Sequence, residues 1–387
     1  MSVIRVALIW ERAPWMGAVN YYQSLASAIH QLPSKNIELI LFAGKDVNTY
    51  DMGDYVQIVR VPILSRGSFA WVLWKLGVKL HRDILLYRLL LKHRVDVISH
   101  YPSLWKGCSI PSIRWIPDFQ FLRLPHMFRQ QDIEERVRDL KQVAKEERFV
   151  LLSSHDAEND FKNFLGDNKI VPDIKVLQFA TRVENSSGTT ARCELISKYG
   201  LPEKWFYLPN QFWKHKNHSV VIEALASLKD HQSICVVATG KPEDFRNPEY
   251  YQQLMARVET LGVKQKFISL GEVPYQDVRG LMEHTVAVIN PSLFEGWSTS
   301  VEESKALGKV VILSNIAVHQ EQQPERGIFF SPDNATELAS ILSHVMGAYN
   351  ASDENAKSLA ARDDYLNQIK AFSLLYEKII QDVTQQQ

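Results

Sequence analysis

The segment from Val286 to Asn315 constrains the fold of this 387-residue chain more than any other stretch. It reads VAVINPSLFEGWSTSVEESKALGKVVILSN, which predicts a buried strand, a tight loop, a short helix that stops at Gly308 and a second buried strand. Strand, helix and strand form a βαβ unit, and such units build parallel sheets. The loop that leaves the first strand therefore lies at the carboxyl edge of a sheet, where ligands bind and a helix N-terminus attracts phosphate.

Two carboxylates stand at this loop and helix. Glu295 and Glu303 are separated by seven residues and bracket the transition from loop to helix. Carboxylates repel phosphate, so beside such a helix they make sense as acceptors for the hydroxyl groups of a ligand that carries both phosphate and sugar. The alternative is structural: residues 300–303 fit a capping box, in which Glu303 bonds back to the backbone of Ser300, and Glu295 is then an ordinary loop carboxylate.

Short β-branched runs alternate with helical stretches along the chain, which predicts an α/β fold with parallel sheets. The predicted strands are Val3–Trp10, Ile37–Phe42, Val56–Val61, Val95–Ser99, Phe149–Ser153, Lys175–Phe179, Trp205–Leu208, Ile234–Thr239, Lys266–Leu270, Ala287–Asn290 and Val310–Leu313. A polar stretch at residues 181–203 separates two complete α/β patterns and is the predicted linker. We therefore expect two Rossmann-like domains, at residues 1–184 and 185–365, whose sheets face each other across a cleft. A long amphipathic helix is predicted over 361–383, and residues 366–387 are expected to pack back toward the N-terminal domain.

Composition argues against several classes of protein. Lys and Arg together number 44, as do Asp and Glu, so the net charge gives no support for nucleic acid as a partner. The balance conceals an asymmetry, because residues 1–184 hold 25 basic and 20 acidic residues. No run reaches the ~18 apolar residues of a membrane span, and the N-terminus lacks the order of a signal peptide. The three cysteines lack metal-ligand spacing, and together these features predict a cytoplasmic protein.

The residues around both carboxylates resemble the signature of a known family. Asn290–Trp297 and Glu302–Gly308 are similar to the segment Glu, seven residues, Glu of the retaining GT-B glycosyltransferases of family 4, also called glycosyl transferases group 1. The resemblance implies that Glu295 contacts the donor sugar and balances charge at the reacting carbon. It also implies that Glu303 accepts hydrogen bonds from the ribose. The backbone amides implied to hold the distal phosphate are those of Gly296, Trp297, Ser298 and Thr299.

A second motif, NQFWKHKNH, directly follows the predicted strand that ends at Leu208. It resembles the family's diphosphate-binding loop, in which an Arg and, five residues later, a Lys neutralise the leaving nucleoside diphosphate. Lys216 takes the Lys position, whereas Gln211 stands at the Arg position and removes one formal charge. Lys214 and His215 are candidates to compensate for that charge. The alternative is a solvated basic turn.

Four further candidates lie in the first half of the chain. Gly17 follows the first strand and resembles the family's N-terminal glycine loop; the alternative is a plain turn with Asn20 as a helix cap. His100 ends a predicted buried strand, where the resemblance implies contact with the donor sugar and the alternative is a structural role. Asp118 and His126 lie in WIPDFQFLRLPH, which resembles a segment on the acceptor side in a bacterial branch of the family. Asp118 would orient the acceptor hydroxyl, or it is a cap or turn carboxylate.

The stretch from Trp71 to Arg94 combines many leucines and aromatic residues with six basic side chains and a single acidic residue, Asp83. Read as one basic amphipathic helix with Trp, it predicts contact with an anionic membrane surface, on the inner face of the plasma membrane. The alternative is an ordinary packed helix with a solvated basic face.

The resemblance as a whole implies a retaining hexosyltransferase that moves a hexose from a nucleotide diphosphate sugar to a glycan or lipid-linked glycan, in the assembly of a bacterial-type surface polysaccharide or lipopolysaccharide. Its implied catalytic residues are His100, Lys216 and Glu295. The leaving phosphate is expected to take the acceptor proton. No DxD motif flanked by apolar residues is present, so we expect neither a metal nor another cofactor. The alternatives are a sugar-nucleotide epimerase or glycosyl phosphorylase on the same fold, and a catalytically inactive GT-B binding module.

Overall fold

The computed structural model describes residues 3–79, 83–167, 171–182, 189–228 and 233–386. The chain divides into two compact units: the first comprises residues 1–119, 130–182 and 367–387, and the second comprises 120–129 and 183–366. Residues 120–129 thus group with the second unit, whereas the sequence places them in the N-terminal domain. Within the second unit, Arg246 explains this grouping, because its guanidinium donates to Gln120 Oε1 at 3.1 Å and lies 4.6 Å from the ring centre of Phe128.

The first unit is built on a sheet whose described strands are all parallel. They are β1 (Ile4–Trp10), β2 (Ile37–Ala43), β3 (Gln57–Arg60), β4 (Val97–Ser99), β5 (Ser112–Ile116), β6 (Phe149–Leu152) and β7 (Asp173–Val176). Their order across the sheet is β3-β2-β1-β4-β5-β6-β7, so the direction of winding reverses between β1 and β4. In such sheets the loops that leave the strands on either side of the reversal open into a crevice.

The second unit repeats this arrangement with a second parallel sheet. Its described strands are β8 (Phe206–Leu208), β9 (Val236–Ala238), β10 (Phe267–Ser269), β11 (Val288–Asn290), β12 (Val311–Ser314) and β13 (Gly327–Phe330). The order is β10-β9-β8-β11-β12-β13, which places the reversal between β8 and β11. Strands β8, β9, β11 and β12 are buried along their length, as expected for a parallel sheet covered by helices.

Helices connect the strands in both units. The described helices are α1 (Met16–Gln31), α2 (Phe69–Lys79), α3 (Ile84–Lys92), α4 (Gln120–Arg123), α5 (Gln130–Glu146), α6 (His155–Leu165), α7 (Arg192–Tyr199), α8 (His218–Ser227), α9 (Tyr250–Thr260), α10 (Tyr275–Glu283), α11 (Thr299–Ala306), α12 (Ala317–Gln322), α13 (Ala335–Ala348) and α14 (Ala351–Gln385). Helix α14 belongs to the second unit up to Leu366 and to the first unit from Asn367 onward. It begins before the start that the sequence predicts for it.

The predicted fold class is confirmed, since the described chain forms two Rossmann-like units with parallel sheets. Each predicted strand has a counterpart, but the sequence missed two described strands, β5 and β13. Strand β5 carries Arg114, whose guanidinium pairs with Asp139 at 3.1 Å, and this charge interrupts its apolar run. Strand β13 is four residues long, begins with Gly327 and pairs only with β12 in the described sheet, so it has little local signal.

The prediction of one basic amphipathic helix over residues 71–94 is wrong. Two helices, α2 and α3, occupy this stretch, and residues 80–82 lie outside the described part of the chain. Asp83 is the N-cap residue of α3, because its carboxylate accepts the backbone N–H of Leu86 at 3.0 Å. The same carboxylate also accepts the indole N–H of Trp74 at 2.6 Å. Trp74 is therefore buried in the core of the first unit and does not face solvent. Within the described residues, no helix is both long enough and apolar enough to cross a bilayer.

Candidate functional site

The candidate site of the second unit lies at the reversal of its sheet. The loop after β8 carries Lys216, and the loop after β11 carries Glu295. Lys216 Nζ lies 2.6 Å from Glu295 Oε1, and the two side chains are only 15% and 9% exposed. The structure thus brings together two residues that the sequence assigned to one donor site, and it joins them as an ion pair.

Glu295 is held in its charged form. Burial by itself raises the pKa of this carboxyl, but the positive charge of Lys216 and its hydrogen bond to the carboxylate lower the pKa to about 2. Ser292 Oγ lies 2.7 Å from the same carboxylate oxygen. A carboxylate fixed in this way is an acceptor for hydroxyl hydrogens and a negative charge for a developing cation, and it is a poor general acid at neutral pH.

A buried amide network fixes the loop that carries Glu295. Asn290, the last residue of β11, donates from Nδ2 to Ser298 Oγ at 2.8 Å and lies 3.2 Å from Ser300 Oγ. Its Oδ1 accepts a hydrogen bond from Asn210 Nδ2 at 3.2 Å, which links the loops after β8 and β11. Since these side chains are all buried, each hydrogen bond also satisfies a polar group that would otherwise be costly to desolvate.

Helix α11 begins at Thr299, with Ser298 as its N-cap residue. The alternative capping box at Ser300 is therefore wrong, because the chain enters the helix before Ser300 and this residue lies inside the first turn. The backbone N–H of Ser298 donates to Gln322 Oε1 at 3.3 Å, and Gln322 Nε2 donates back to the Ser298 carbonyl at 3.0 Å. Of the amides predicted to bind phosphate, that of Ser298 is thus already engaged by Gln322.

The acid before Glu303 has a structural role that the sequence did not indicate. Glu302 is fully buried and accepts hydrogen bonds from Gln322 Nε2 at 2.9 Å, from Lys305 Nζ at 3.1 Å and from the Tyr365 hydroxyl at 3.0 Å. Burial raises the pKa of Glu302, and these donors oppose the rise. Glu303 itself is only half-buried and lies in the second turn of α11. Its contact with ribose stays a prediction.

The side chain of Gln211 ties two loops together. Its Oε1 accepts the backbone N–H of Lys241, which follows β9, at 2.8 Å. Gly240 permits this approach, because its φ is +145° and a Cβ there would lie 2.5 Å from the carbonyl oxygen of Asn210. His215, proposed to compensate for the charge missing at Gln211, is neutral: burial lowers its pKa well below the usual range. Lys214 is exposed and stays a candidate for that role.

Sequence reasoning missed two residues beside this site. Arg246, in the loop after β9, pairs with Asp244 at 3.7 Å, and its Nη2 lies 3.4 Å from His215 Nδ1. No motif pointed to it. His319, on α12, is buried, and its Nδ1 lies 2.9 Å from the Ser314 carbonyl oxygen, so Nδ1–H donates and Nε2 is left as an acceptor. Residues 314–321, SNIAVHQE, also resemble the family and were a signal for His319, but nothing in the sequence assigned this residue a role.

In the first unit, His100 follows β4 at the reversal of the sheet and has a left-handed φ of +63°. Its Nε2 lies 2.6 Å from the Tyr21 hydroxyl, and its Nδ1 lies 2.7 Å from Ser99 Oγ. Burial lowers the pKa of His100 to about 3, so the ring is neutral at physiological pH. The hydroxyl of Tyr376, on α14, donates to Ser99 Oγ at 2.9 Å. His100 is therefore an oriented neutral group, and Tyr21 and Tyr376 are neighbours that the sequence did not single out.

The remaining predicted residues are distributed over both units. Gly17 lies in the first turn of α1, after β1, and therefore at the same edge of the first sheet as His100. Asp118 follows β5 in the first unit, whereas His126 lies in the short 3₁₀ turn Pro125–Met127 of the second unit. Their joint role on the acceptor side stays a prediction. In the part of the chain that the structure describes, no group of three or more His, Cys, Asp or Glu side chains is placed to hold a metal ion.

Two parallel-sheet Rossmann-like units, each with polar loops at the reversal of its strand order, define the GT-B class of fold. Comparison with known proteins agrees. Residues 195–360 match the family model described as Glycosyl transferases group 1, which confirms the resemblance for that part of the chain. A curated relative, the O-antigen chain mannosyltransferase RfbU of Salmonella typhimurium, is 25% identical over 143 residues. That alignment covers 37% of this chain and only 38% of RfbU.

Solved structures share the fold over the whole chain. A glycosyltransferase from Rickettsia africae superposes with a TM-score of 0.67 at 16% identity and covers 99% of both chains. Sucrose-phosphate synthase from Thermosynechococcus elongatus gives a TM-score of 0.69 at 13% identity, over 99% of this chain and 100% of that one. The Anabaena protein HepE, solved in complex with UDP and glucose, gives 0.68 at 14% identity, over 98% and 100%. At these identities the likeness establishes the fold.

Proposed function

We propose that the protein is a retaining glycosyltransferase that moves a hexose from a nucleotide diphosphate sugar to a glycan or lipid-linked glycan. The observation that carries this proposal is the buried ion pair between Lys216 and Glu295 at the reversal of the second sheet. A cation suited to phosphate and an anion suited to sugar hydroxyls lie side by side where α/β sheets bind ligands. A donor that carries both chemical groups fits this pair.

In the proposed reaction, the bond from the sugar to the distal phosphate breaks and the acceptor oxygen bonds to the same carbon from the same face. Lys216 and the amides at the start of α11 would neutralise the leaving diphosphate. Glu295, ionised and immobilised, would bind donor hydroxyls and stabilise positive charge at the reacting carbon. The leaving phosphate would accept the acceptor proton, so the neutral His100 need not transfer a proton. This mechanism requires no metal.

The relatives support a nucleotide-sugar donor. HepE was solved with UDP and glucose, and RfbU is named as a mannosyltransferase of O-antigen chains. We infer that this chain uses the same class of donor and takes part in the assembly of a bacterial-type surface polysaccharide or lipopolysaccharide. Because a binding ligand stabilises the folded state, the class of nucleotide is open to direct measurement.

We further propose that the enzyme works in the cytoplasm on the inner face of the plasma membrane, through helix α2. Phe69, Val72, Leu73 and Leu76 follow the spacing of one helical face, and all four are exposed, Phe69 to 79%. Among the described residues in and around α2 and α3, the exposed basic side chains are those of Arg66, Arg88, Lys92 and Arg94. An apolar stripe with basic residues in the adjacent stretches of chain suits a bilayer that contains anionic lipid.

The function is tested by a thermal-shift panel of UDP-, GDP-, ADP- and dTDP-sugars, followed by mass spectrometry of the stabilising donor after incubation. We expect one nucleotide class to raise the melting temperature and the Lys216→Ala variant to lose that shift. Inversion at C2 of the donor without an acceptor would indicate an epimerase, and phosphate-dependent glycan cleavage would indicate a phosphorylase. If no nucleotide sugar of the panel changes the melting temperature, the transferase proposal is wrong.

A further inference from the structure

The first unit carries a stack of three aromatic rings at the carboxyl edge of its sheet. Trp15, in the loop after β1, lies parallel to Trp115 of β5, with ring centres 5.8 Å apart and planes 12° apart. Trp115 in turn is parallel to Tyr21 of α1, at 4.9 Å and 14°. Since β4 lies between β1 and β5 in the sheet, this stack spans the end of β4, where His100 begins the next loop.

The outer ring of the stack is exposed and yet held in place. Trp15 is 58% exposed, although Tyr21 at the inner end is buried. Trp115 is anchored by a hydrogen bond from its Nε1 to Ser153 Oγ at 3.2 Å. Gly17 leaves room for the outer indole, since a Cβ at Gly17 would lie 3.1 Å from Trp15 Nε1. A large flat apolar face is thus presented to solvent with little side-chain entropy left to lose on binding.

From this geometry we propose that Trp15 is a stacking platform for a sugar ring of the acceptor. The apolar C–H face of a pyranose matches a flat aromatic ring, while its hydroxyls need polar partners around the edge. Polar groups are present at the same sheet edge, where His100 and Asp118 follow β4 and β5. The inference rests on the proposed transferase function and adds that the group recognised in the first unit is a carbohydrate ring.

A sugar fits this platform better than a lipid chain or a nucleotide base. A membrane anchor projects its apolar side chain outward, whereas the Trp15 ring lies flat against Trp115. The exposed apolar stripe of the first unit that suits a bilayer is on α2. The acids and lysine that suit a nucleotide sugar, Lys216, Glu295 and Glu303, belong to the second unit.

The test uses soluble trisaccharides as probes and the indole N–H signals of ¹⁵N-labelled protein in NMR spectra. The Trp15 signal is identified by its loss in Trp15→Phe. We expect mannotriose, maltotriose or chitotriose to shift it, Trp15→Ala to weaken the binding about tenfold, and Trp15→Phe to weaken it less because a ring remains. Tyr50→Ala, which removes another exposed aromatic side chain of the same unit, should leave binding unchanged.

The proposal is overturned if no trisaccharide moves the Trp15 signal, or if UDP or anionic vesicles move it instead. Donor binding separates this outcome from failure of the transferase function. If a nucleotide sugar stabilises the Trp15→Ala variant as much as the wild-type protein, the donor site is intact. A loss of sugar binding at Trp15 then counts against the stacking platform alone. Conversely, if trisaccharides bind at Trp15 but no nucleotide sugar binds the protein, the proposal of a stacking platform stands and the proposed transferase function is wrong.

Discussion

Lys216 Nζ lies 2.6 Å from Glu295 Oε1, although 79 residues separate them in sequence. The pair forms because the loops after β8 and β11 flank the point at which the sheet reverses its winding. Another pair of the same length, Lys264 and Glu259, is 74% and 60% exposed and provides a matched comparison. The two pairs differ in burial, so they separate the effect of a desolvated ion pair from that of a solvated one.

We predict that Lys216→Met destabilises the protein by about 3 kcal/mol, because it leaves the carboxylate of Glu295 buried without its cation. Lys264→Met should cost less than about 1 kcal/mol, since water solvates Glu259 equally well. Urea unfolding at pH 7 measures both values. The double variant Lys216→Met/Glu295→Gln should recover part of the loss. Equal effects of the two lysine substitutions would contradict a desolvated pair.

Substitution of either member of this ion pair is also predicted to lower the enzymatic activity. Glu295→Ala and Lys216→Ala should each lower kcat/KM at least about a hundredfold while circular dichroism at 25 °C stays that of a folded protein, because each removes charge stabilisation at the reacting groups. Glu259→Ala, which also removes a carboxylate from a lysine pair, is the control and should keep full activity. Full activity in either site variant would refute the site assignment.

The pH dependence of stability follows from buried neutral histidines, of which His218, at the start of α8, is an example. Burial lowers the pKa of His218 to about 3. The unfolded state binds a proton near pH 6.5 and the folded state resists it, so stability falls as the pH drops from about 6.5 toward 3. Between pH 6.5 and 4.5 this residue alone should cost about 2 kcal/mol. Urea unfolding of His218→Leu should show a smaller loss over that range, and an unchanged slope would contradict the assignment.

Gly240→Ala should both destabilise the second unit and weaken donor binding. A Cβ at Gly240 would lie 2.5 Å from Asn210 O and 2.8 Å from the Cα of Gln211, so the loops after β8 and β9 would be forced apart. We expect a loss of about 3 kcal/mol. Gly262→Ala is the matched control, because Gly262 also has a positive φ, +68°, but nothing lies within 4 Å of its Cβ position. Strain alone should cost Gly262→Ala about 1 kcal/mol.

The exposed stripe of α2 predicts binding to anionic vesicles. Phe69→Ser and Leu76→Ser should each weaken co-sedimentation with vesicles that contain phosphatidylglycerol about tenfold, since each removes an apolar side chain that would enter the bilayer. Leu359→Ser, on α14 in the second unit, removes a leucine that is 67% exposed and should have no effect. Identical losses for all three variants would point to nonspecific adsorption and against a membrane face on α2.

Metal dependence is the last measurement that the proposed mechanism requires. Lys216 and the helix amides are proposed to neutralise the negative charge of the diphosphate. Turnover should therefore be unchanged by EDTA and should not rise when Mg²⁺ or Mn²⁺ is added. A loss of activity in EDTA that Mg²⁺ restores would show that the diphosphate needs a cation the chain does not supply.

Much of the architecture could be predicted because it depends on patterns among residues that are near each other in the sequence. The segment from Val286 to Asn315 forms the expected strand, loop, helix and strand, with Val288 of β11 beside Val311 of β12. Features without a local pattern could not be predicted. Strand β5 is interrupted by Arg114, and the break between α2 and α3 depends on the bond from Trp74 to Asp83.

The sequence by itself determined the alternation of strands and helices and the loops that carry Gly17, His100, Lys216 and Glu295, because side-chain periodicity and turn chemistry act between near neighbours. Only the tertiary structure decided that β8 lies beside β11, which makes Lys216 the partner of Glu295. It also decided that His215 is neutral and that Gln322 occupies the amide of Ser298. Burial and the choice of hydrogen-bond partner depend on residues remote in the chain, and no local pattern records them.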